Sequence, residues 1–277
     1  MAMGDFLPAS TAAAFFVLLL GVNGAAAVNF TFHFHNNCPE TVWPAALSSA
    51  GRPPFPTTGF ALPPGASLSV AGVTATWSGR VWGRHRCATG GGRFSCESGD
   101  CRDGAGRVQR RRRGAAGHPR RVHPRRRRIR RRALSDFYEV SNVKGLNLPV
   151  QVRPDLLERR QEGATAALCR TTACPADINR VCPSELAVRA ADRGGAAAAA
   201  VVACKSACLA FGTDEQCCRG RFASPDKCAP SEYSRLFKAQ CPQAYSYAFD
   251  DRSSTFTCAN ATGYRITFAP PPPPKTN

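Results

Sequence analysis

The chain has 277 residues, of which 43% are hydrophobic and 20% charged, proportions that exclude a wholly disordered chain and a fibrous repeat. The length fits one large or two small domains, and the 14 cysteines are typical of a protein that folds in an oxidising compartment. The net charge is +18, and the absence of any run of about 18 apolar residues excludes a membrane-spanning helix.

The first 27 residues predict a secretory signal peptide. An apolar run at 12–22 is followed by small residues at 23–27, which is the pattern of a signal core and its cleavage site. A buried N-terminal helix is the alternative interpretation. We expect a mature chain that begins near Val28 and is secreted to the extracellular space. On that route the motifs Asn29-Phe-Thr31 and Asn260-Ala-Thr262 are candidate glycosylation sites.

Alternating residues predict a mainly β protein. Residues 29–35 place phenylalanines on one face and threonine or histidine on the other, as in a half-buried strand. Further strands are predicted at 41–43, 67–70, 76–82, 137–140 and 148–152, with Pro and Gly clusters between several of them. Residues 264–268 alternate in the same way, and we expect this last strand to pair with the first. Many short strands joined by turns favour a β-sandwich.

Residues 102–132 form an arginine-rich stretch. It holds fifteen of the 37 Lys and Arg residues and one of the 19 acids, a net charge of +14 that leaves +4 for the rest of the chain. This composition predicts a solvated, disordered loop, and three interpretations are open. The loop contacts a polyanion, it permeabilises microbial membranes as a polycation, or it is a GC-rich segment translated out of frame, which we favour. The run contains no aromatic residue for base stacking, so no nucleic-acid partner is expected.

Residues 169–241 hold nine of the 14 cysteines and predict a disulfide-rich lobe with two helices, at 201–209 and 231–240. In the second helix Tyr233, Leu236 and Phe237 share one face. The five prolines at 270–274 predict a solvated tail.

Two smaller motifs carry weak signals. His33 and His35 share one strand face and have the residue type of metal ligands, yet the sequence supplies no third ligand, so a solvated strand face is favoured and no metal or cofactor is predicted. The adjacent pair Asp250 and Asp251 is interpreted as part of a loop.

Several motifs together resemble one protein family. They lie at 38–43, 78–84, 92–101, 136–141, 202–208, 211–218, 233–238 and 244–251. These segments resemble plant thaumatin-like proteins of the pathogenesis-related group, over residues 28–101 and 134–268. The resemblance implies a flattened β-sandwich with an inserted disulfide-rich loop-and-helix lobe and a cleft between them. We divide the chain into a signal peptide (1–27), a sandwich (28–153 with 256–268), a lobe (154–255) and a proline-rich tail (269–277).

The resemblance also implies a disulfide pattern. The family has sixteen cysteines in eight bonds, and carrying the pattern across gives six pairs here. They are Cys87–Cys96, Cys169–Cys258, Cys174–Cys241, Cys182–Cys204, Cys208–Cys217 and Cys218–Cys228. Cys38 and Cys101 remain unpaired, because their family partners would fall at 267–269 and inside the arginine-rich stretch. This coincidence supports the out-of-frame hypothesis.

The family function depends on an acidic cleft with one arginine and four carboxylates. Here Arg80, Glu139 and Asp214 occupy cleft positions, Lys144 replaces one aspartate, and the glutamate position has no counterpart. Glycoside hydrolysis needs two carboxyl groups about 5 to 10 Å apart, one of them protonated. A lysine would lower neighbouring carboxyl pKa values and oppose that protonation, so Glu139 and Asp214 are weak catalytic candidates. A purely structural role for both carboxylates is equally open.

We therefore expect a monomeric, antifungal defence protein that binds β-1,3-glucan or another component of the fungal surface. A weak endo-β-1,3-glucanase that uses Glu139 and Asp214 is the alternative from the enzyme class. A polycation that acts through residues 102–132 is the third hypothesis.

Overall fold

The computed structural model describes residues 29–100, 135–156, 169–190 and 200–271. The predicted signal peptide, the arginine-rich stretch, Cys101 and residues 272–277 lie outside these ranges. Within them, every helix is too short or too polar to cross a bilayer.

The described residues contain thirteen strands, and the protein is mainly β, as the sequence predicts. The strands are β1 Asn29–Asn36, β2 Ala45–Ser48, β3 Ser67–Thr74, β4 Gly79–Trp82, β5 His85–Gly90, β6 Arg93–Ser98, β7 Ser135–Tyr138, β8 Val150–Asp155, β9 Thr172–Cys174, β10 Ala187–Arg189, β11 Val201–Cys204, β12 Phe256–Ala259 and β13 Gly263–Phe268. The helices are α1 Ala207–Phe211, α2 Glu232–Gln240 and α3 Asp251–Ser254, with single 3-10 turns at Ile178–Val181 and Gly220–Phe222.

The largest sheet among the described residues has five strands in the order β3-β1-β13-β8-β9. The predicted pairing of the first and last strands is confirmed: β1 and β13 run parallel, with Phe32 beside Tyr264 and Phe34 beside Ile266. Strand β8, which ends at Asp155, pairs with β13 on one side and with β9 on the other, and β9 belongs to the cysteine-rich segment. The division between sandwich and lobe at residue 154 stays a prediction, and the backbone pairing crosses that boundary.

The sandwich core is built from aromatic side chains of β1 and β13 and from the segments that cover them. Phe34 is 1% exposed and packs edge-on against Phe60, while Phe32 contacts both Phe55 and Trp77 at ring distances near 5 Å. Because successive strand residues point to opposite faces, the three-phenylalanine alternation in β1 places this apolar set on one side of the sheet. The same cluster includes Ala46 of β2, and Val81 of β4 packs against it, which gives the second layer.

Two sequence predictions at this level are wrong. The predicted helix at 201–209 is strand β11 followed by helix α1, because Val201–Cys204 pairs with β10 and Ser206 then caps α1 through its side-chain oxygen. The predicted strand at 41–43 is reduced to Val42, which forms isolated bridges with Leu62 and His85. The predicted helix at 231–240 is confirmed as α2, with Ser231 at its N-cap and Phe237 buried in the lobe.

Six disulfide bonds hold the described residues, and they join the cysteines that the resemblance pairs. They are Cys87–Cys96, Cys169–Cys258, Cys174–Cys241, Cys182–Cys204, Cys208–Cys217 and Cys218–Cys228. The last four lie in the lobe, whose small core includes Val140, Ile178 and Leu186.

Cys38 is a free cysteine of the described residues and lies in the sandwich core, 5% exposed. Burial, and to a smaller extent the negative charge of Glu40, raises the pKa of its thiol to about 11. The thiol is therefore protonated at neutral pH and unreactive in the folded chain. The sequence analysis places the family partner of Cys38 at 267–269. At that place the chain has Ala269, a small residue that packs against the same core.

Candidate functional site

Arg80 lies in β4, where it is paired in register with Leu47 of β2. Its neighbour Val81 packs on the sandwich core, and Arg80 itself is exposed. The strand alternation therefore places the Arg80 side chain on the solvent-exposed face of the β2–β4 pair.

Glu139 follows β7 and is exposed, whereas the next residue, Val140, is buried in the lobe core. Two backbone hydrogen bonds fix this segment to Tyr245: the Tyr245 N–H donates to the Val140 carbonyl at 2.9 Å, and the Asn142 N–H donates to the Tyr245 carbonyl at 2.8 Å. The pKa of the Tyr245 phenol is raised to about 12, mainly by burial and by its hydrogen bond to Asp251, with a smaller contribution from the charge of Glu139. The backbone of the segment that carries Glu139 is thus fixed to Tyr245.

Lys144 is exposed in the turn that follows Glu139. The turn ends at Gly145, whose φ is +88° and whose Cα lies so close to β11 that an added Cβ would stand 2.2 Å from the Cys204 carbonyl oxygen. Leu146 then exchanges two backbone hydrogen bonds with Cys204, at 2.8 and 2.9 Å. The glycine lets the segment that carries Glu139 and Lys144 dock directly onto β11.

Asp214 lies a few residues after α1, in a segment held by the disulfides Cys208–Cys217 and Cys218–Cys228. Its carboxylate is 61% exposed and forms an ion pair with Arg219, with 3.5 Å between Oδ1 and Nε. Arg219 also donates from Nη2 to the Gly212 carbonyl at 2.6 Å and from its backbone to the Asp214 carbonyl at 2.8 Å. The sequence analysis did not single out Arg219, and it is the residue that fixes this loop.

A depression of about 480 Å³ opens beside Asp214. It is lined by Thr213, Asp214, Glu215, Arg221 and Phe222. The guanidinium of Arg221 stacks 4.9 Å from the centre of the Phe222 ring. Sequence analysis missed the depression, since no spacing rule connects residues 213–215 with 221–222 before the loop is folded.

His85 connects the sandwich to the lobe. It is 5% exposed; its Nδ1 lies 3.0 Å from a Glu40 carboxylate oxygen and its Nε2 lies 3.0 Å from the Val202 carbonyl of β11. Strand β4, which carries Arg80, is followed closely by β5, whose first residue is His85, so β11 anchors the start of β5 as well as the segment after β7. The sequence offered no signal for this contact, because Val202 is 117 positions away.

The segments of Arg80, Glu139 and Asp214 thus share one structural support. His85, which follows the Arg80 strand, and Leu146, which follows Glu139, both form hydrogen bonds with strand β11. The chain continues from β11 into α1 and then into the loop that carries Asp214. All three side chains are exposed to solvent.

Comparison with known proteins identifies the family. The model of the thaumatin family matches residues 36–270. Thaumatin-like protein 1 of Castanea sativa is 45% identical over 252 residues, which cover 91% of this chain and 95% of the relative. The chain belongs to the thaumatin family. Two further thaumatin relatives carry functional names: a glucan endo-1,3-beta-glucosidase of Prunus avium, 41% identical over 91% of this chain and 94% of the relative, and the pathogenesis-related thaumatin-like protein 3.5 of Cryptomeria japonica, 41% identical over 92% and 95%.

The two strand histidines of this thaumatin-family chain lie on the exposed side of β1 and take part in hydrogen bonds. Nδ1 of His33 lies 2.7 Å from the Ser69 hydroxyl, and Nδ1 of His35 lies 2.8 Å from the Ser67 hydroxyl. Asp155 lies 3.7 Å from His33. Among the described residues, His, Cys, Asp and Glu side chains form no cluster of three that could hold a metal.

The adjacent aspartates have separate partners. Asp250 accepts hydrogen bonds from the backbone and hydroxyl of Ser246 and pairs with Lys238 at 2.9 Å. Asp251 accepts from the Tyr245 hydroxyl. Asp250 precedes α3 as its N-cap, whereas Asp251 is the first residue of that helix, so the interpretation of the pair as loop residues is wrong for Asp251.

The two glycosylation motifs occupy different settings. Asn29 is the first residue of β1 and stands opposite Thr74 in the ladder. Asn260 is exposed in the turn between β12 and β13 with φ of +66°, a left-handed conformation that asparagine adopts more readily than most residues. Both remain candidate sites.

Proposed function

We propose that this chain is a secreted plant defence protein with antifungal activity that binds fungal cell-wall β-1,3-glucan through a cleft that includes Arg80, Glu139 and Asp214. Membership of the thaumatin family supports the proposal, as do the names of the Prunus avium and Cryptomeria japonica relatives. The observation that carries it is the shared support of the three exposed side chains by β11.

The chemistry of these side chains suits a neutral polysaccharide. Carboxylates accept hydrogen bonds from sugar hydroxyls, and a guanidinium donates to hydroxyl and ring oxygens. Because disulfides and β11 hold the three segments before any ligand arrives, little ordering cost remains for binding.

Binding without strong hydrolysis fits the exposure of the two carboxylates. A glycosidase keeps its general acid protonated by burying it in an apolar environment. Glu139 is exposed and Asp214 is 61% exposed beside Arg219, so neither has that shielding.

The test is a pull-down on insoluble β-1,3-glucan with the oxidised protein, Arg80→Ala and Asp214→Ala. We expect each substitution to weaken binding roughly tenfold, the effect of removing one charged hydrogen-bond partner. Asp226→Ala, which removes another exposed aspartate of the lobe, is the matched control and should bind like the wild type. Binding that is indifferent to both cleft substitutions overturns the role of the cleft.

Weak endo-β-1,3-glucanase activity is a second candidate, favoured by the name of the Prunus avium relative. If Glu139 acts in hydrolysis, reducing-sugar release from laminarin should be measurable and should disappear in Glu139→Gln. No release above background by the wild type rejects the enzyme.

Secretion and glycosylation are tested together. In plant cells, the full chain should appear in the extracellular wash fluid, and a chain without residues 1–27 should stay inside. We propose that Asn260 carries a glycan: Asn260→Gln should lower the mass of the secreted protein and abolish its shift on enzymatic deglycosylation, with Asn29→Gln as the matched control. A secreted protein whose mass is unchanged by Asn260→Gln overturns this assignment.

A further inference from the structure

We propose that the depression beside Asp214 is a binding subsite for one glucosyl ring, so that a long glucan runs from the cleft onto the lobe and affinity depends on chain length. This inference rests on the proposed function and adds residues to the site that neither the sequence motifs nor the comparisons assign. The principal one is Phe222.

The size and lining of the depression fit a pyranose ring. Its volume of about 480 Å³ lies within the range of small-molecule sites, which is roughly 300 to 1,000 Å³. A pyranose has an apolar face of C–H groups and a rim of hydroxyls. The depression supplies one aromatic ring, Phe222, together with the hydroxyl of Thr213 and the carboxylates of Asp214 and Glu215.

The charges of this loop favour a neutral ligand. Two carboxylates, Asp214 and Glu215, are balanced by two guanidiniums, those of Arg219 and Arg221. An anionic or cationic ligand would meet repulsion from one pair, whereas a neutral sugar can hydrogen-bond to both. Asp214 is one of the three proposed cleft residues and also lines the depression, so the proposed cleft and the depression adjoin at this side chain.

The loop is fixed before the ligand binds. Disulfides Cys208–Cys217 and Cys218–Cys228 bracket it, and the backbone amides of Cys217 and Phe222 donate to the carbonyls of Thr213 and Arg219 at 3.0 and 2.9 Å. The Arg221 guanidinium, 4.9 Å from the Phe222 ring centre, covers part of that ring. A pre-formed aromatic surface of this kind loses little entropy when a sugar stacks on it.

Phe222 can be changed with little risk to the fold. It is only half buried and is not a member of the lobe core. The matched control is Phe211, which belongs to the same lobe, is 43% exposed, stacks on Tyr233 at 5.5 Å and does not line the depression.

The experiment measures dissociation constants for β-1,3-linked glucose oligosaccharides of three to seven units with the wild type, Phe222→Ala, Phe211→Ala and Asp214→Ala. For Phe222→Ala we expect about tenfold weaker binding of the longest oligosaccharide, the size of one stacking contact, and unchanged binding of the trisaccharide. Phe211→Ala should bind like the wild type, and Asp214→Ala should weaken binding at every length. If Phe222→Ala does not fold, Glu215→Gln provides the same length test with an isosteric change.

The outcomes separate the two proposals. A length-dependent loss in Phe222→Ala or Glu215→Gln supports the subsite. An equal loss at all lengths, or no loss, overturns the subsite and leaves glucan binding by the cleft intact. If the wild type binds none of the oligosaccharides and no insoluble glucan, the proposed function fails and the subsite with it.

Discussion

The sandwich and the lobe of this protein are held together by different forces. In the described part of the chain, the sandwich core contains fifteen buried residues with a network of edge-on aromatic contacts around Phe32 and Phe34. Among the residues that the structure describes, the lobe core contains eight, and three of them are the cysteines Cys174, Cys204 and Cys241. A region with so little apolar surface needs crosslinks to remain folded, as small secreted domains do.

This difference has a consequence for the candidate site. Asp214 and the depression beside it belong to the lobe, whereas Arg80 belongs to the sandwich. A functional site that includes residues of both regions therefore depends on apolar packing in the sandwich and on disulfide bonds in the lobe. His85, between Glu40 and Val202, is a buried side chain that bonds to both regions.

The largest effect is expected in the sandwich. Phe34→Ala removes a ring that is 1% exposed and should lower the free energy of unfolding by about 3 to 5 kcal/mol. Phe137→Ala makes the same substitution at a ring that is 75% exposed and should change stability by no more than about 0.5 kcal/mol. Urea denaturation of the oxidised proteins measures both. A loss below about 1 kcal/mol for Phe34→Ala contradicts the dominance of aromatic packing.

Removal of a lobe crosslink is the next test. Cys174→Ala with Cys241→Ala opens a bond between residues 67 positions apart and should cost about 4 kcal/mol. Cys87→Ala with Cys96→Ala opens a bond across 9 positions in the β5–β6 hairpin and should cost about 3 kcal/mol or less. In hydrogen exchange, the first double variant should lose protection in α2 while β1 and β13 keep theirs. Equal loss of protection in both regions would show that they unfold as one unit.

His85→Leu tests the connection between the two regions. The substitution leaves the Val202 carbonyl and the Glu40 carboxylate without their imidazole partner, and the expected loss is about 1 to 3 kcal/mol. His33→Leu, which changes a histidine side chain that is 36% exposed, is the matched control. Thermal unfolding of the two variants gives the comparison. A similar small change for both would remove His85 from the account of how the regions are joined.

The smallest effect is a pH dependence inside the sandwich. Burial raises the pKa of Asp136, and the hydrogen bond donated by the Tyr264 hydroxyl opposes this in part. A carboxyl whose folded pKa exceeds its unfolded value, about 3.9, binds more protons when folded, so its contribution to stability is greatest below pH 4 and is lost as the pH rises through the folded pKa.

Asp136→Asn should therefore be slightly more stable than the wild type at pH 7, and this advantage should shrink as the pH is lowered to about 3. The melting temperatures of the two proteins across this range provide the measurement, with Asp226→Asn as the exposed control. An advantage that grows on acidification contradicts the assigned direction of the pKa shift.

The local hydrophobic pattern was sufficient to predict a helix or strand where one face of that element is buried. The alternation in residues 29–35 and 264–268 predicted β1, β13 and their pairing, and the apolar face of 231–240 predicted α2. The pattern failed at 201–209, because a short run of valine and alanine fits a strand and a helix equally well. Only the pairing with β10 decides that Val201–Cys204 is extended.

The sequence by itself determined the fold class and, through ordered cysteine-anchored motifs, the thaumatin family. It also picked out Arg80, Glu139 and Asp214, whose functional roles remain predictions. Tertiary structure decided what surrounds these residues: β11 as their common support, the pairing of Asp214 with Arg219, and the depression that includes Phe222. The physical reason is that periodicity and spacing report which face of an element is buried, whereas contacts such as His85 with Val202 exist only after distant segments pack together.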